Sequence, residues 1–124
     1  MSGIEVLTLL VMLFTKHAFV DFPLQTPYQF LNKGTYGHPG GLLHSGYHAL
    51  ATFLIVLLFN PVFALAIAAF DFAVHYHVDW AKVQLNTKYQ WKPDTHKEFW
   101  WLLGLDQYLH ALTYFTIVYI LMQV

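Results

Sequence analysis

Four pairs of residues built from histidine and aspartate are the part of this sequence best suited to chemistry. The pairs are His17 with Asp21, His44 with His48, His75 with Asp79, and Asp106 with His110. Within each pair the spacing is four residues, which places both side chains on one face of a helix. Imidazole and carboxylate groups bind divalent transition metals, and the chain has no cysteine that could supply a thiolate. The spacing therefore predicts a metal site with these eight residues as ligands.

Eight ligands suffice for a site that is mononuclear or dinuclear, with Zn²⁺ as the preferred ion and Mn²⁺ or Fe²⁺ as alternatives. Two ions about 3.5–4 Å apart can activate water and hold a phosphoryl or acyl oxygen. A carboxylate not fully engaged in coordination would take the proton, and the candidates are Asp21, Asp79 and Asp106. We therefore expect a metal-dependent hydrolase whose substrate is a small molecule, amphiphilic or phosphorylated.

The same eight residues also fit other functions. They could serve a carrier or channel for metal ions or protons, or form a hydrogen-bonded network without metal. A carrier needs polar positions along its whole path, whereas the segments "TLLVMLF" and "FLIVLLF" have almost none. A di-iron oxidase is compatible with the ligand set, but no cofactor motif supplies electrons. The enzyme is therefore favoured over the carrier.

The polar neighbours of the pairs are expected to differ in role. His77 lies two residues from His75 and points to nearly the opposite helix face, so it is excluded as a ligand. Asp71 is one turn before His75 and is predicted to orient its ring. Lys82 is expected to pair with Asp79 or to extend toward the membrane surface.

Composition indicates the environment in which these pairs must sit. Hydrophobic residues make up 57% of the 124-residue chain and charged residues only 10%, against about 25% charged in a typical soluble domain. The mean hydropathy of +0.46 agrees with a membrane protein surrounded by a lipid bilayer. The formal net charge of −1 offers no basic surface for nucleic acid. The length allows a single domain, and the oligomeric state stays open, a homo-oligomer included.

Four segments are apolar enough to place the pairs on membrane-spanning helices of about 20 residues. The predicted helices cover residues 3–22, 42–59, 61–85 and 96–124. A tight turn at Asn60 and Pro61 should join the second and third helices, and Thr95 with Glu98 has the spacing of a capping box for the fourth. The predicted fold is all-α: an integral membrane four-helix bundle with antiparallel up-down topology over residues 1–124.

The lysines predict how this bundle is oriented in the inner (plasma) membrane. All six basic residues are lysines, and each falls in or beside the loops 23–41 and 86–95. The positive-inside rule puts both loops in the cytoplasm and both termini outside. All four pairs then lie at one depth near the cytoplasmic face. The apolar loop 23–41 is expected to act as an interfacial anchor or as a lid over the site.

Several segments resemble a family of small bacterial and phage membrane proteins of unknown function, DUF3307. The matching segments are "KHAFVDFPLQT", "NKG", "GGLLHSGYHAL", "HVDWAKV" and "LDQYLHAL", which together cover nearly the whole chain. The resemblance implies a polar signature that comprises the eight ligands together with Gln25 and Gln107. It implies no particular reaction.

Overall fold

The computed structural model describes all residues, 1–124, and is all-α, as predicted. It contains five helices and no strand: α1 (Gly3–Asp21), α2 (Pro27–Phe30), α3 (Pro39–Leu57), α4 (Ala64–Tyr89) and α5 (Lys97–Gln123). The single-turn helix α2 was not predicted and lies within the loop expected at 23–41. The four long helices correspond to the four predicted segments, with shifted ends.

Each long helix packs against two others. Helix α1 contacts α3 and α5, α4 contacts the same two helices, and α2 packs on α3. Asp21 at the end of α1 meets His44 near the start of α3. Asp79 and, further along α4, Lys82 meet His110 and, earlier in α5, Asp106. Neighbouring long helices therefore run in opposite directions.

The inward faces of these helices are apolar at one end of the molecule and polar at the other. On α1 the buried positions follow a spacing of four, from Leu9 and Leu13 to His17 and Asp21. The apolar end is a buried cluster of ten residues: Leu9, Leu13, Ile55, Val56, Ala64, Ile67, Tyr114, Ile117, Val118 and Leu121. Close packing of this cluster holds the helices at fixed rotations, and these rotations direct the histidines and aspartates inward.

Helix α3 begins earlier than predicted, and α4 begins later. The last three residues of the run "GHPGG" already belong to α3. Pro39 occupies the first turn, and the His38 ring caps the helix by accepting a hydrogen bond from the backbone N–H of Gly40. The connection between α3 and α4 covers residues 58–63. Within it, the Asn60 N–H bonds to the Val56 carbonyl and the Phe63 N–H bonds to the Asn60 carbonyl. The two-residue turn was therefore too short a prediction.

The capping box predicted for α5 is wrong. His96 occupies the cap position without a side-chain cap, and the Thr95 hydroxyl lies 2.9 Å from His96 Nδ1 instead of bonding to the helix. The capping box of this protein is at α1. There the Ser2 hydroxyl accepts from the Glu5 N–H, and the Glu5 carboxylate accepts from the Ser2 N–H.

Two of the four long helices, α1 and α3, are long and apolar enough to cross a membrane by length and composition. Helices α4 and α5 do not meet the same criterion. Four membrane spans and their orientation accordingly stay a prediction.

Candidate metal centre

The structure brings the eight predicted ligands from the four long helices into one buried layer. His44 and His48 are fully buried, and the other six are at most 8% exposed: His17, Asp21, His75, Asp79, Asp106 and His110. Buried ionisable side chains at this density require partners or a bound ion. The layer therefore has the composition and burial of a metal centre.

The ligand atoms form three overlapping groups, each compact enough to surround one ion. Within each group all ligand atoms lie within 4.8 Å of one another. The central group is Asp21, His44, His75 and Asp79; the three-ligand group is Asp79, Asp106 and His110; the α1-side group is His17, Asp21, His48 and His75. The groups share Asp21, His75 and Asp79, so the three groups cannot all hold an ion at the same time.

The central group has the geometry of a tetrahedral site. Five of its six ligand–ligand distances run from 3.1 Å, between His44 Nε2 and Asp21 Oδ1, to 3.5 Å, between His75 Nε2 and the same oxygen. A tetrahedron with metal–ligand bonds of 2.0–2.1 Å has edges of about 3.3–3.4 Å. The Nε2 atoms of His44 and His75 face each other at 3.2 Å, so only one of them can donate to the other. A shared cation would satisfy both nitrogens.

Asp79 connects the central group to the three-ligand group. Its Oδ2 lies 3.2 Å from His75 Nε2 and 3.3 Å from His44 Nε2, whereas its Oδ1 lies 3.0 Å from His110 Nε2. Through its two oxygens, Asp79 could therefore contribute a ligand to each of the two groups. Asp106 Oδ1 lies 3.2 Å from His110 Nε2 but makes no hydrogen bond. Three protein ligands leave a fourth position free, as in catalytic zinc sites.

The α1-side group is partly committed to hydrogen bonds. His17 Nε2 is 2.8 Å from Gln107 Oε1, and its Nδ1 is 2.7 Å from the Tyr114 hydroxyl. Because the Gln107 amide group donates to Asp21 and Asp106, its oxygen is left to accept from His17. Gln107 therefore orients the His17 ring, and His17 would have to give up this bond to bind an ion.

Three lysines contact carboxylates in or next to this layer. Their positions differ from two predicted contacts, that of Asp71 with His75 and that of Lys82 with Asp79. Lys16 lies 2.9 Å from Asp71 Oδ2. Because Asp71 is bonded to Lys16 and Thr52, it does not orient His75, whose Nδ1 has no partner.

Lys82 was expected to pair with Asp79, but its ammonium lies 3.6 Å from Asp106 on α5. Asp79 is approached by Lys33 instead, at 3.4 Å. The rotation of α4 turns Lys82 toward α5, which spacing along a single helix could not reveal.

The segment between α1 and α3 covers the layer. Gln29 of α2 is 1% exposed, and its Oε1 lies 3.2 Å from His44 Nδ1. Gln25 accepts from the Lys33 ammonium at 3.0 Å and donates to the backbone carbonyl of Asp21. The loop predicted to be an anchor or a lid thus contacts the ligands directly.

Sequence reasoning excluded His77 and missed several partners. His77 is exposed and bonds to the Ala73 carbonyl and the Tyr36 hydroxyl, away from the layer. The missed partners are Lys16, Gln29, Lys33, Thr52 and Tyr114. Thr52 and Tyr114 each lie four residues beyond a predicted ligand, so continuing the same helical spacing would have found these two.

A groove of about 260 Å³ between α4 and α5 reaches one edge of the layer. Its walls are mostly apolar and include Leu85, Leu102, Leu105 and Leu109. Lys82 and Asp106 also line it, so the three-ligand group borders a surface opening.

Fold and site together define an all-α protein with buried histidine and aspartate groups that could hold metal ions. A family profile described as a protein of unknown function (DUF3307) matches residues 9–124. The chain belongs to this family, and the resemblance inferred from its segments is confirmed. No curated protein matches the chain, and no solved structure matches it.

Proposed function

We propose that this protein is a membrane-embedded, metal-dependent hydrolase. The observation that carries the proposal is the set of four converging ligands in the central group, joined through Asp79 to a three-ligand group with a free position. Structural metal sites are closed by their ligands, whereas hydrolytic sites keep one position for water. A closed and an open site sharing one carboxylate suit hydrolysis.

The membrane location is supported by the surface of the long helices. Apolar side chains are widely exposed there, for example Ile4 at 79%, Leu7 at 63%, Leu65 at 73% and Tyr119 at 64%. Apolar exposure on this scale indicates contact with lipid or with partner protein. We place the four long helices across the inner membrane, with the ligand layer near its cytoplasmic face and both termini outside.

The protein's residues divide the work between two positions. His44, His75 and Asp21 would hold the central ion, His110 and Asp106 would hold the second, and Asp79 would contribute to both positions. Bound divalent ions supply an activated water and charge for the developing oxyanion. Asp106 is the best-placed proton acceptor, because its side chain lines the groove and one carboxylate oxygen would be left when the other holds the ion. Zn²⁺ is the preferred ion for this nitrogen and oxygen set, with Mn²⁺ and Fe²⁺ as alternatives.

The packing of the apolar end favours an enzyme over a carrier. Leu9, Leu13 and Ile117 are fully buried in the ten-residue apolar cluster, which fills the space between the helices beyond the ligand layer. An ion crossing the membrane would have to pass this cluster without a polar partner, at high cost. A hydrolase approached from one side needs no such path.

The proposal is tested first by metal analysis of protein purified without added chelator. We expect wild-type protein to contain Zn²⁺, Mn²⁺ or Fe²⁺, and Asp79→Asn to lose it because the bridging carboxylate is gone. His77→Ala is the matched control, since this histidine lies on the same helix but faces outward. Metal-free wild-type protein, or equal losses in both variants, would refute the proposal.

The second measurement is hydrolysis. Phosphoester and acyl substrates should be cleaved by the wild-type protein, with activity abolished by chelation and restored by the ion found in the analysis. Protein in sealed vesicles that passes metal ions or protons, while hydrolysing none of these substrates, would instead support the carrier.

A further inference from the structure

Two lysines lie beside the proposed ion positions without being able to bind an ion: Lys33 on the side of the central group and Lys82 beside the three-ligand group. The Lys33 ammonium is 3.4 Å from Asp79 Oδ2, and the Lys82 ammonium is 3.6 Å from Asp106 Oδ2. Their side chains are only 12% and 22% exposed, so neither is a freely solvated surface lysine. Each ammonium is held beside a carboxylate that the proposed ions would also bind.

The charges of the occupied site call for an anionic ligand. Asp21, Asp79 and Asp106 carry three negative charges, and two divalent ions exceed these by one positive charge. Lys33 and Lys82 raise the excess to three, whereas Lys16 is already neutralised by Asp71. Ions bound to Asp79 and Asp106 would also weaken the attraction of these carboxylates for the lysines. Both ammonium groups then become available to another anion.

The groove between α4 and α5 indicates what this anion is attached to. It is the one surface groove of the molecule lined by any of the eight predicted ligands. Leu102 and Leu105 form part of its apolar wall, while Lys82 and Asp106 provide its charged part. The Asp106 carboxylate is 96% buried, yet its Oδ1 has no hydrogen-bond partner. Apolar walls next to a cation and an unpartnered carboxylate suit an amphiphile whose head lies at the site.

We infer that the substrate is a phosphate monoester of an apolar alcohol, with its phosphate bound by Lys33 and Lys82 and its chain in the α4–α5 groove. A monoester carries nearly two negative charges at neutral pH, which matches the excess positive charge better than a carboxylate does. Lysine is a common phosphate-binding residue. This inference rests on the proposed metal-dependent hydrolase and specifies its substrate class.

The corresponding reaction is balanced with water alone. The water oxygen forms a bond to phosphorus while the ester P–O bond breaks. Asp106 takes the proton from the water and returns it to the departing alkoxide. The products are inorganic phosphate and the apolar alcohol.

The test is calorimetric binding to metal-loaded protein in detergent, with hexyl phosphate, inorganic phosphate and hexanoate as probes. We expect hexyl phosphate to bind more tightly than inorganic phosphate, because only the former has a chain for the groove, and hexanoate to bind weakly. Lys33→Met and Lys82→Met should each weaken hexyl phosphate binding about tenfold or more, the effect of losing a charge-assisted hydrogen bond. Lys33→Arg and Lys82→Arg should retain most of the binding.

Two controls separate this inference from the metal centre itself. Lys88→Met removes an exposed lysine from the last turn of α4 and should leave binding unchanged. Leu105→Ser should weaken the binding of hexyl phosphate but not that of inorganic phosphate, since Leu105 lines only the apolar part of the groove. Both methionine variants at the site should keep their metal, because each lysine competes with the ion for a carboxylate.

The outcomes distinguish the two levels of the proposal. Metal-loaded Lys33→Met and Lys82→Met that bind phosphate like the wild type would overturn the phosphate assignment and leave the metal centre standing. Hexanoate that binds as tightly as hexyl phosphate would overturn it as well. Equal affinity for inorganic phosphate and hexyl phosphate would overturn the role of the groove, so the ligand would be a free phosphate. Wild-type protein without metal would refute both levels.

Discussion

Lys16 is buried between α1, α3 and α4, with its ammonium 2.9 Å from Asp71 Oδ2 and 3.0 Å from His48 Nδ1. It also lies 4.8 Å from the centre of the Tyr114 ring. Thr52 donates a second hydrogen bond to Asp71. Removing one partner of a buried ion pair leaves an uncompensated charge, which is far costlier than removing both.

At the residue scale we therefore predict that Lys16→Met destabilises the protein by about 3–5 kcal/mol, because Asp71 stays buried without its cation. The double variant with Asp71→Leu should recover most of this loss. Unfolding of metal-free protein in detergent, followed by circular dichroism, measures both. Lys88→Met, an exposed lysine on α4, should change stability little. A single variant as stable as this control would mean that the buried pair contributes nothing.

At the scale of elements, the segment between α1 and α3 is positioned by close backbone contact with the first turn of α3. A Cβ atom on Gly40 would collide with the backbone carbonyl oxygen of Tyr28 in α2, and one on Gly41 would come within 2.9 Å of the Lys33 Cα. The two glycines let this segment lie directly on α3. Gln29 and Lys33 reach His44 and Asp79 from there.

We accordingly predict that Gly40→Ala displaces this segment, since the backbone carbonyl it would strike cannot move without moving α2. Hydrogen exchange of residues 23–38 should become faster, and the affinity for metal should fall because His44 loses its orienting contact with Gln29, with an effect of about 10–100-fold. Gly46→Ala on the same helix meets open space and serves as the control. Unchanged exchange in Gly40→Ala would contradict the assigned packing.

At the scale of the whole molecule, helix lengths and charges bear on the orientation proposed for the protein in the membrane. Helices α1 and α3 have 19 residues each, or about 29 Å, close to the bilayer core. Helices α4 and α5 have 26 and 27 residues, or about 40 Å, and extend beyond it. Residues 90–96 connect these two helices, and Lys88, Lys92 and Lys97 lie in or beside this connection. Three other lysines pair with carboxylates, so the positive-inside argument now rests mainly on this connection.

We predict that a cysteine introduced at Thr95 reacts with a membrane-impermeant thiol reagent only after the cytoplasmic side is opened. A cysteine at Ser2 should react in intact cells, because the proposed orientation puts the N-terminus outside. The chain has no native cysteine, so the labelling has no background from this protein. Labelling of the Thr95 variant in intact cells would reverse the orientation and place the ligand layer at the outer face.

Spacing within single helices was readable from the sequence. A separation of four residues fixes two side chains on one face whatever surrounds the helix, so His75 and Asp79 could be assigned to one direction and His77 to another. Loop placement then put all the pairs at one depth. The expected layer of eight residues followed from these two local rules, and the structure does assemble it from four helices.

Contacts between helices were decided only by the tertiary structure. Which carboxylate bridges two groups depends on how far each helix is rotated and shifted against its neighbours, and packing of the apolar cluster sets these values. Lys82 therefore contacts Asp106 instead of Asp79, and Asp71 forms an ion pair with Lys16 instead of orienting the His75 ring. Gln29 and Lys33 come from a segment without helical period over most of its length, so no spacing rule could direct them to the site. The sequence by itself determined which histidines and aspartates share a helix face and lie in one layer. Only packing between the helices determined which side chain each of them contacts.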